Sequence, residues 1–164
     1  MSTLTHLDAA GRARMVDVSA KDATRRVARA SGTLRMSREA LEALVEGRLP
    51  KGDALAVARV AGIQAAKQTP SLIPLCHPLP IDHVSIVVEP DPSLPGVRAS
   101  AEVAATARTG AEMEALTGVA GALLALYDMA KSIDRAMSIG EIRLDYKTGG
   151  ARGTYVREED SCAT

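Results

Sequence analysis

The sequence predicts an α+β fold of the ferredoxin-like kind, in which helices pack on one face of an antiparallel sheet. First, segments typical of strands and helices follow one another as strand, two helices, two strands, helix and strand. Second, 164 residues suit a single core. Third, the chain has no Phe, no Trp and three Tyr, so this core must be aliphatic and rich in alanine.

Capping and turn residues place the first elements. "MVDVS" alternates briefly, and "TRRVARASGTLRM" has the alternation of a long strand. Ser37 is a suitable N-cap for the helix "REALEALVEGRL", which Gly47 ends. Asp53 is an N-cap for a second helix within "KGDALAVARVAGIQAAKQTP", and Pro70 ends that run.

The second half of the chain reads as a hairpin, a long helix and a strand. "DHVSIVVEP" and "VRASAEVAATAR" alternate as strands, and the short turn "DPSLPG" joins them. "TGAEMEALTGVAGALLALYDMAKSID" opens with Thr109 and Glu112 at capping-box spacing and continues as a helix to about Ser132. "GEIRLDYKTGG" is then a last strand that ends in a glycine turn.

We expect one domain with short extensions. Residues 1–14 are small and polar and predict a flexible arm, residues 15–155 form the α+β domain, and residues 156–164 form a mobile tail. No internal repeat or Gly/Ser-rich linker divides the domain.

Charge and cysteine content exclude several classes of partner. Lys plus Arg equals Asp plus Glu, 20 of each, so no overall field favours nucleic acid or an anionic membrane. Two cysteines do not make a disulfide framework, and no signal peptide or run of about 20 apolar residues is evident. We therefore expect a cytoplasmic protein without nucleic-acid or membrane partners.

The long helix carries a stripe that is acidic at both ends. Relative to Glu114, the residues Gly118, Gly121, Ala125 and Asp128 fall within about 40° of one line. The stripe is either a solvated face with a glycine packing groove, or a surface that a ligand or partner approaches closely. The opposite side supplies the core face, with Leu116, Val119, Leu123 and Leu126.

The spacing of the acidic residues has a consequence for assembly. Fourteen positions separate Glu114 from Asp128, which is about 21 Å along a helix. If both serve one small site, a second subunit must bring its own helix alongside, antiparallel to the first. This predicts a homo-oligomer with sites between subunits. Glu112, in contrast, could simply cap the helix.

Four lysines lie next to glycine, proline or a turn: Lys51, Lys67, Lys131 and Lys147. Each could be an ordinary solvated charge. Alternatively, several could converge on a phosphorylated ligand, because a cluster of ammonium groups binds such charge. Lysine pKa values also fall readily on burial, which suits lysine to acid–base catalysis.

The segment "LIPLCHPLPIDH" places Cys76 and His77 between prolines, with His83 beyond. These residues lack the paired spacing of a zinc site, so we predict no metal. Adjacent residues of an extended chain point to opposite sides, which argues against a Cys–His nucleophile pair. His77 is therefore either packed in a loop or held out as a phosphate donor.

Longer motifs make the chain recognisable. "MVDVSAK", "KGDALAVARVAGIQAAKQTPSLIPLCHPLPI", "TGAEMEALTGVAGALLALYDMAKSID" and "IRLDYKTGGARG" resemble the molybdenum cofactor biosynthesis protein C (MoaC) family, from about Met15 to Gly153. The resemblance implies a cyclic pyranopterin monophosphate synthase. Such an enzyme converts 3',8-cyclo-7,8-dihydro-GTP to cyclic pyranopterin monophosphate and releases pyrophosphate. It also implies a homohexamer, a trimer of dimers with sites at the dimer interface.

The resemblance further implies roles for individual residues. The catalytic group it implies is Lys51, Asp128 and Lys131. The substrate-binding residues it implies are Lys67, Leu75, Cys76, His77, Glu112, Met113, Glu114 and Lys147.

These residue types suit the implied chemistry. His77 and Lys131 could donate to phosphate oxygens, and Glu112 or Glu114 could accept from the guanidine-like edge of the purine. Lys51 and Asp128 could form an acid–base pair for the proton transfers of ring opening and closure. No metal-ligand set is evident, so we expect no cofactor, apart from magnesium that the substrate triphosphate could carry.

Other functions remain open from the residues alone. The chain could be an oligomeric sensor that binds a phosphorylated metabolite without turnover, or a structural subunit with a glycine-packed interface. A lyase that forms a Schiff base through Lys51 is a further alternative.

Overall fold

A computed structural model describes residues 10–151 and 153–158. In that part of the chain, five strands form one antiparallel sheet in the order β2-β3-β1-β4-β5, with the helices on one face. The predicted ferredoxin-like α+β fold is confirmed. The elements in chain order are β1 Thr24–Arg35, α1 Arg38–Val45, α2 Ala54–Lys67, α3 Thr69–Leu72, β2 Ile81–Asp91, β3 Gly96–Ala107, α4 Glu112–Ala130, β4 Ser138–Thr148 and β5 Tyr155–Val156.

The predicted extensions are only partly described. Residues 1–9 of the expected arm and residues 159–164 of the expected tail lie outside the described residues. The boundary predicted at residue 155 falls within β5, where Tyr155 pairs with Lys147.

The two faces of the sheet differ as the alternation predicts. Ala28 and Ala30 of β1 are fully buried under the helices. On the opposite face, Arg29 pairs with Glu102 at 2.5 Å. Gly32 allows close approach to the helix layer, because a Cβ there would lie 2.8 Å from Val119 Cγ1. Small residues in the central strands therefore let α4 lie close to the sheet.

Local capping signals were correct for two helices and wrong for the third. Ser37 accepts from the Ala40 amide at 3.2 Å, and Asp53 accepts from the Ala56 amide at 3.0 Å, as predicted. The capping box expected at Thr109 is absent, because α4 begins at Glu112 and no side chain caps it. The Glu112 carboxylate instead bonds to a lysine of β4, a distant partner that the local pattern does not contain.

The core of the helix layer is the predicted one. Val119, Leu123 and Leu126 of α4 are fully buried, and Leu116 is partly buried against them. Length and apolar composition would suffice for α4 to cross a membrane, contrary to the expectation that no segment approaches such a span. Its buried residues pack against α2 and the sheet.

The glycine stripe of α4 packs against α2 of the same chain. A Cβ on Gly121 would lie 2.4 Å from the Cβ of Ala65, and one on Gly62 would lie 2.9 Å from the carbonyl oxygen of Gly118. Lys51, just before α2, contacts Asp128 near the end of α4, so the two helices run antiparallel. The glycines of the stripe form the expected packing groove, but the stripe is not a solvated face throughout, because Glu114 is 3% exposed.

A β-bulge in β4 turns Lys147 toward the helices. Arg29 pairs with Tyr146, but the next residue, Ala30, pairs with Leu144, which leaves Asp145 as an extra residue. Without the bulge, strict alternation from Leu144 would place Lys147 on the outer face. With it, Lys147 lies opposite buried Ala28 and reaches the start of α4.

The glycine contact gives a matched pair of substitutions. We expect Gly121→Ala to lower the free energy of unfolding by about 1–3 kcal/mol, because its methyl meets the rigid Cβ of Ala65. Gly118→Ala should change it by less than about 1 kcal/mol, because its methyl meets the movable end of Ile86 and gains helix propensity. Urea denaturation at fixed protein concentration measures both. Equal losses would contradict this account of the helix contact.

Candidate active site

One group of predicted site residues lies where the beginning of α2 meets the end of α4. Asp128 Oδ2 accepts from Lys51 Nζ at 2.5 Å, and Asp128 Oδ1 lies 2.7 Å from Lys131 Nζ. Lys51 Nζ also donates to the Asp128 carbonyl oxygen at 3.1 Å. Antiparallel helix packing brings Lys51 to Asp128, and one helical turn brings Lys131. We call these three residues the lysine cluster.

The lysine cluster keeps its central carboxylate ionised. The hydrogen bond from Lys131, followed by that from Lys51, lowers the pKa of Asp128 to about 2. At neutral pH Asp128 is therefore an acceptor that holds two ammonium groups and is poorly suited to donate a proton. About half of each side chain is exposed, at 46% for Lys51, 53% for Asp128 and 51% for Lys131. The cluster is thus open to a ligand or another chain.

A second group surrounds a cavity of about 860 Å³ at the beginning of α4. It contains seven of the predicted substrate-binding residues, namely Leu75, Cys76, His77, Glu112, Met113, Glu114 and Lys147. His77 also lines an adjoining, more apolar cavity of about 310 Å³. It therefore forms part of a cavity wall, and its role as a phosphate donor stays a prediction.

The cavity contains one paired and one buried carboxylate. Glu112, the first residue of α4, accepts from Lys147 Nζ at 2.7 Å. Glu114 is 3% exposed, and burial, with a smaller contribution from Glu112, raises its pKa to about 7. Its carboxyl group is therefore present in both protonated and ionised forms near neutral pH.

The thiol of Cys76 is not activated. Burial is the main reason that its pKa is raised, and the charges of Glu114 and Glu112 add to the effect. A protonated thiol is a poor nucleophile. Cys76 therefore forms part of the cavity wall, in agreement with the rejection of a Cys–His pair from the sequence.

The two groups are at opposite ends of α4. Fourteen positions separate Glu114 from Asp128, or about 21 Å along the helix axis. The lysine cluster does not line the cavity. Lys67 is exposed at the end of α2 and does not line it either, although antiparallel packing places it toward the beginning of α4. Within one chain, the structure therefore does not unite all the predicted residues.

Sequence reasoning missed several charged residues of the cavity wall, namely Lys21, Asp22, Arg26 and Arg108. The strand pattern does mark Arg26, because it stands on the helix-facing side of β1, two residues before buried Ala28. An arginine in a core-facing register is unusual and indicates a specific partner. No such pattern marked the others, which lie in loops and at a strand end.

Within residues 10–151 and 153–158, no group of three or more His, Cys, Asp or Glu side chains is arranged to hold a metal ion.

A model of the MoaC family matches residues 15–150. The chain belongs to the MoaC family. It is 55% identical over 158 residues to a protein of Dinoroseobacter shibae, covering 96% of this chain and 100% of the relative. It is 52% identical over 164 residues to one of Pelotomaculum thermopropionicum, with 100% and 96% covered, and 56% identical over 154 residues to one of Nostoc, with 94% and 92% covered. Each relative is named cyclic pyranopterin monophosphate synthase.

The match to the MoaC family spans both ends of α4. Residues 15–150 include the lysine cluster, the cavity residues and Lys67. The matched range therefore includes the predicted site residues as well as the sheet and its packing, and their roles stay predictions.

The buried carboxyl of Glu114 predicts a pH effect on stability. Its pKa rises from 4.5 to about 7 on folding, so the folded chain holds a proton that the unfolded chain releases. Stability due to this group is greatest below about pH 4.5 and falls as the pH rises toward 7. We expect Glu114→Gln to remove this loss, which is on the order of 2 kcal/mol.

Urea denaturation of wild type and Glu114→Gln at pH 5 and pH 8 measures the effect. Glu112→Gln is the matched control, because Glu112 is partly exposed and paired with Lys147. This control should keep most of the decline. A Glu114→Gln protein that loses stability as steeply as wild type would show that Glu114 is not the group responsible.

Proposed function

We propose that this protein is a cyclic pyranopterin monophosphate synthase of molybdenum cofactor biosynthesis. In this proposal it acts as a lyase in the cytoplasm, where it converts 3',8-cyclo-7,8-dihydro-GTP to cyclic pyranopterin monophosphate and releases pyrophosphate. Membership of the MoaC family supports it. The observation that carries it is the arrangement of seven predicted residues around one cavity and of Lys51 and Lys131 around Asp128.

The cavity suits the purine end of such a substrate. Glu112 and Glu114 lie two residues apart in the first turn of α4, where they could accept hydrogen bonds from a guanidine-like edge. Because its pKa is about 7, Glu114 could also exchange a proton during the reaction. His77, on the same wall, is a donor for a phosphate oxygen.

The lysine cluster suits the proton transfers of ring opening and closure. Asp128 fixes the ammonium groups of Lys51 and Lys131 on either side of one carboxylate. In our proposal the two lysines carry the protons, while Asp128 orients them and compensates their charge. This replaces the simpler acid–base pair of Lys51 and Asp128, because an Asp128 pKa of about 2 leaves the carboxyl group without a proton at neutral pH and makes the carboxylate a weak base.

We propose that one complete site uses two chains. The cavity and the lysine cluster are about 21 Å apart along α4, which exceeds the reach of one compact substrate. A second chain with its α4 antiparallel would bring its lysine cluster to the cavity of the first. Exposed Val57, Val60 and Leu124 supply apolar surface on the helices for such contact. Three such dimers would give the hexamer that the family resemblance implies.

The proposed reaction needs no resident cofactor. The proton transfers are assigned to lysine and glutamate side chains, and the negative charge of the phosphates to cationic groups. In this proposal, any magnesium enters with the triphosphate of the substrate.

Turnover and its loss in Lys51→Ala test the proposal. Purified protein is incubated with 3',8-cyclo-7,8-dihydro-GTP while pyrophosphate release and pterin formation are followed. Wild type should turn over, and Lys51→Ala should bind substrate but react about 10²–10⁴-fold more slowly, the usual range for loss of an acid–base group. Arg48→Ala, which removes an exposed cation nearby, should retain wild-type activity.

Two results would contradict the proposal. Tight binding without turnover by wild type would favour the metabolite sensor. Full activity of Lys51→Ala would remove Lys51 from the catalytic group. Trapping of a covalent adduct at Lys51 with borohydride would instead indicate Schiff-base chemistry.

A further inference from the structure

Arg26 is a buried cation in the cavity wall. Its residue is 9% exposed, and it stands on the helix-facing side of β1. Among the described residues, no carboxylate forms an ion pair with it. Burial of an unpaired charge is costly, and proteins usually compensate it with an opposite charge or a ligand. Nothing in the predicted site assigns a role to this residue.

Backbone carbonyl groups hold the guanidinium in a fixed orientation. Arg26 Nε donates to the carbonyl oxygen of Ala107 at 3.2 Å, and Nη2 donates to that of Arg108 at 3.5 Å. Carbonyl dipoles align the planar group but leave its full positive charge in place. They also occupy only part of the five N–H donors of arginine. The group is thus oriented before any ligand arrives.

The glycine turn after β4 is shaped around the same side chain. A Cβ on Gly150 would lie against Arg26 Nη1, whereas a Cβ on Gly149 would lie nearest the carbonyl oxygen of Arg25 and 2.9 Å from Arg26 Cδ. Both glycines have left-handed backbone, with φ of 94° and 81°. Only residues without a side chain permit this close contact, so the turn and the guanidinium fit together as one part of the wall.

Charged side chains leave the cavity with a small excess of cations, because four Lys or Arg side chains line it together with the acidic side chains of Asp22, Glu112 and Glu114. Lys147 compensates Glu112 directly, at 2.7 Å. Lys21 and Arg108 line the same cavity as Arg26, and within the described ranges neither forms an ion pair with a carboxylate. Such a concave wall, with arginine at its most buried point, attracts an anionic group.

We propose that Arg26 is an anion-binding residue of the cavity, and that it takes one phosphate group of the phosphorylated substrate. This inference rests on the proposed function for the identity of the substrate. The planar fork of arginine matches the geometry of phosphate oxygens, and the two carbonyl contacts reduce the entropy lost when it binds. Lys21 and Arg108 add positive charge around the same group.

Calorimetric titration with pyrophosphate, the product expected to leave, tests the inference. Arg26→Gln should weaken binding about 10- to 100-fold, since a charged hydrogen bond contributes about 1.5–3 kcal/mol. Arg25→Gln is the matched control, because Arg25 is exposed on the neighbouring position of β1 and does not line the cavity. It should bind pyrophosphate within about twofold of wild type, as expected for a screened surface charge.

Equal binding by wild type and Arg26→Gln would overturn the inference, and so would an equal loss in Arg25→Gln. Circular dichroism checks the fold of each variant. If Arg26→Gln does not fold, the pyrophosphate affinity of Arg26→Lys is measured instead, because lysine keeps the charge but lacks the planar guanidinium group. Arg26→Lys should then bind about tenfold more weakly, and unchanged affinity would overturn the inference.

The same proteins separate this inference from the proposed function. If wild type binds pyrophosphate through Arg26 but does not convert 3',8-cyclo-7,8-dihydro-GTP, the anion site stands and the proposed function fails. If wild type turns over and Arg26→Gln has unchanged KM and pyrophosphate affinity, the proposed function stands and the role of Arg26 fails.

Discussion

The close antiparallel contact between α2 and α4 is the constraint on which the rest of the structure depends. Gly62, Gly118 and Gly121 let the two backbones approach, and no larger residue could occupy position 121 without moving Ala65. The contact leaves the opposite side of α4 to fill the aliphatic core under the sheet. It also fixes the beginning of α2 against the end of α4, which is why Lys51 reaches Asp128. Packing and site geometry are thus set by the same few small residues.

Each ionisable group of the site is stabilised in a different way, and its chemistry follows from that. Two lysines hold Asp128 as a carboxylate, whereas burial raises the pKa of Glu114 to about 7. Lys147 compensates Glu112, and carbonyl oxygens orient Arg26. A carboxylate that stays ionised is suited to hold cations, and a carboxyl group whose pKa is near 7 is suited to exchange protons. An oriented cation without a carboxylate partner is suited to receive an anion.

Local patterns predicted what depends on local sequence. The alternation of the strands, the caps at Ser37 and Asp53, and the buried face of α4 all follow from side-chain spacing and nearby hydrogen bonds, and the structure agrees. The capping box predicted at Thr109 for the start of α4 was wrong. The Glu112 carboxylate bonds to Lys147, 35 residues away, and does not cap the helix. That bond requires the bulge at Asp145, which depends on the register against β1. Arg26 was missed although its inward position in β1 marked it, because its partners, carbonyl oxygens and a glycine turn, cannot be read from side-chain patterns. The roles of the site residues stay predictions.

Subunit complementation tests most directly the claim that one site uses both ends of α4 from different chains. Lys51→Ala and His77→Ala carry their defects in the lysine cluster and the cavity wall, respectively, and are co-expressed in equal amounts. If pairing is random, about half of the dimers are mixed and each holds one intact site, so the account predicts about a quarter of wild-type turnover. Lys51→Ala expressed alone should turn over about 10²–10⁴-fold more slowly than wild type, and His77→Ala alone should also fall well below the activity of the mixed preparation. No recovery above the separate variants, in preparations shown to contain mixed oligomers, would contradict a site shared between chains.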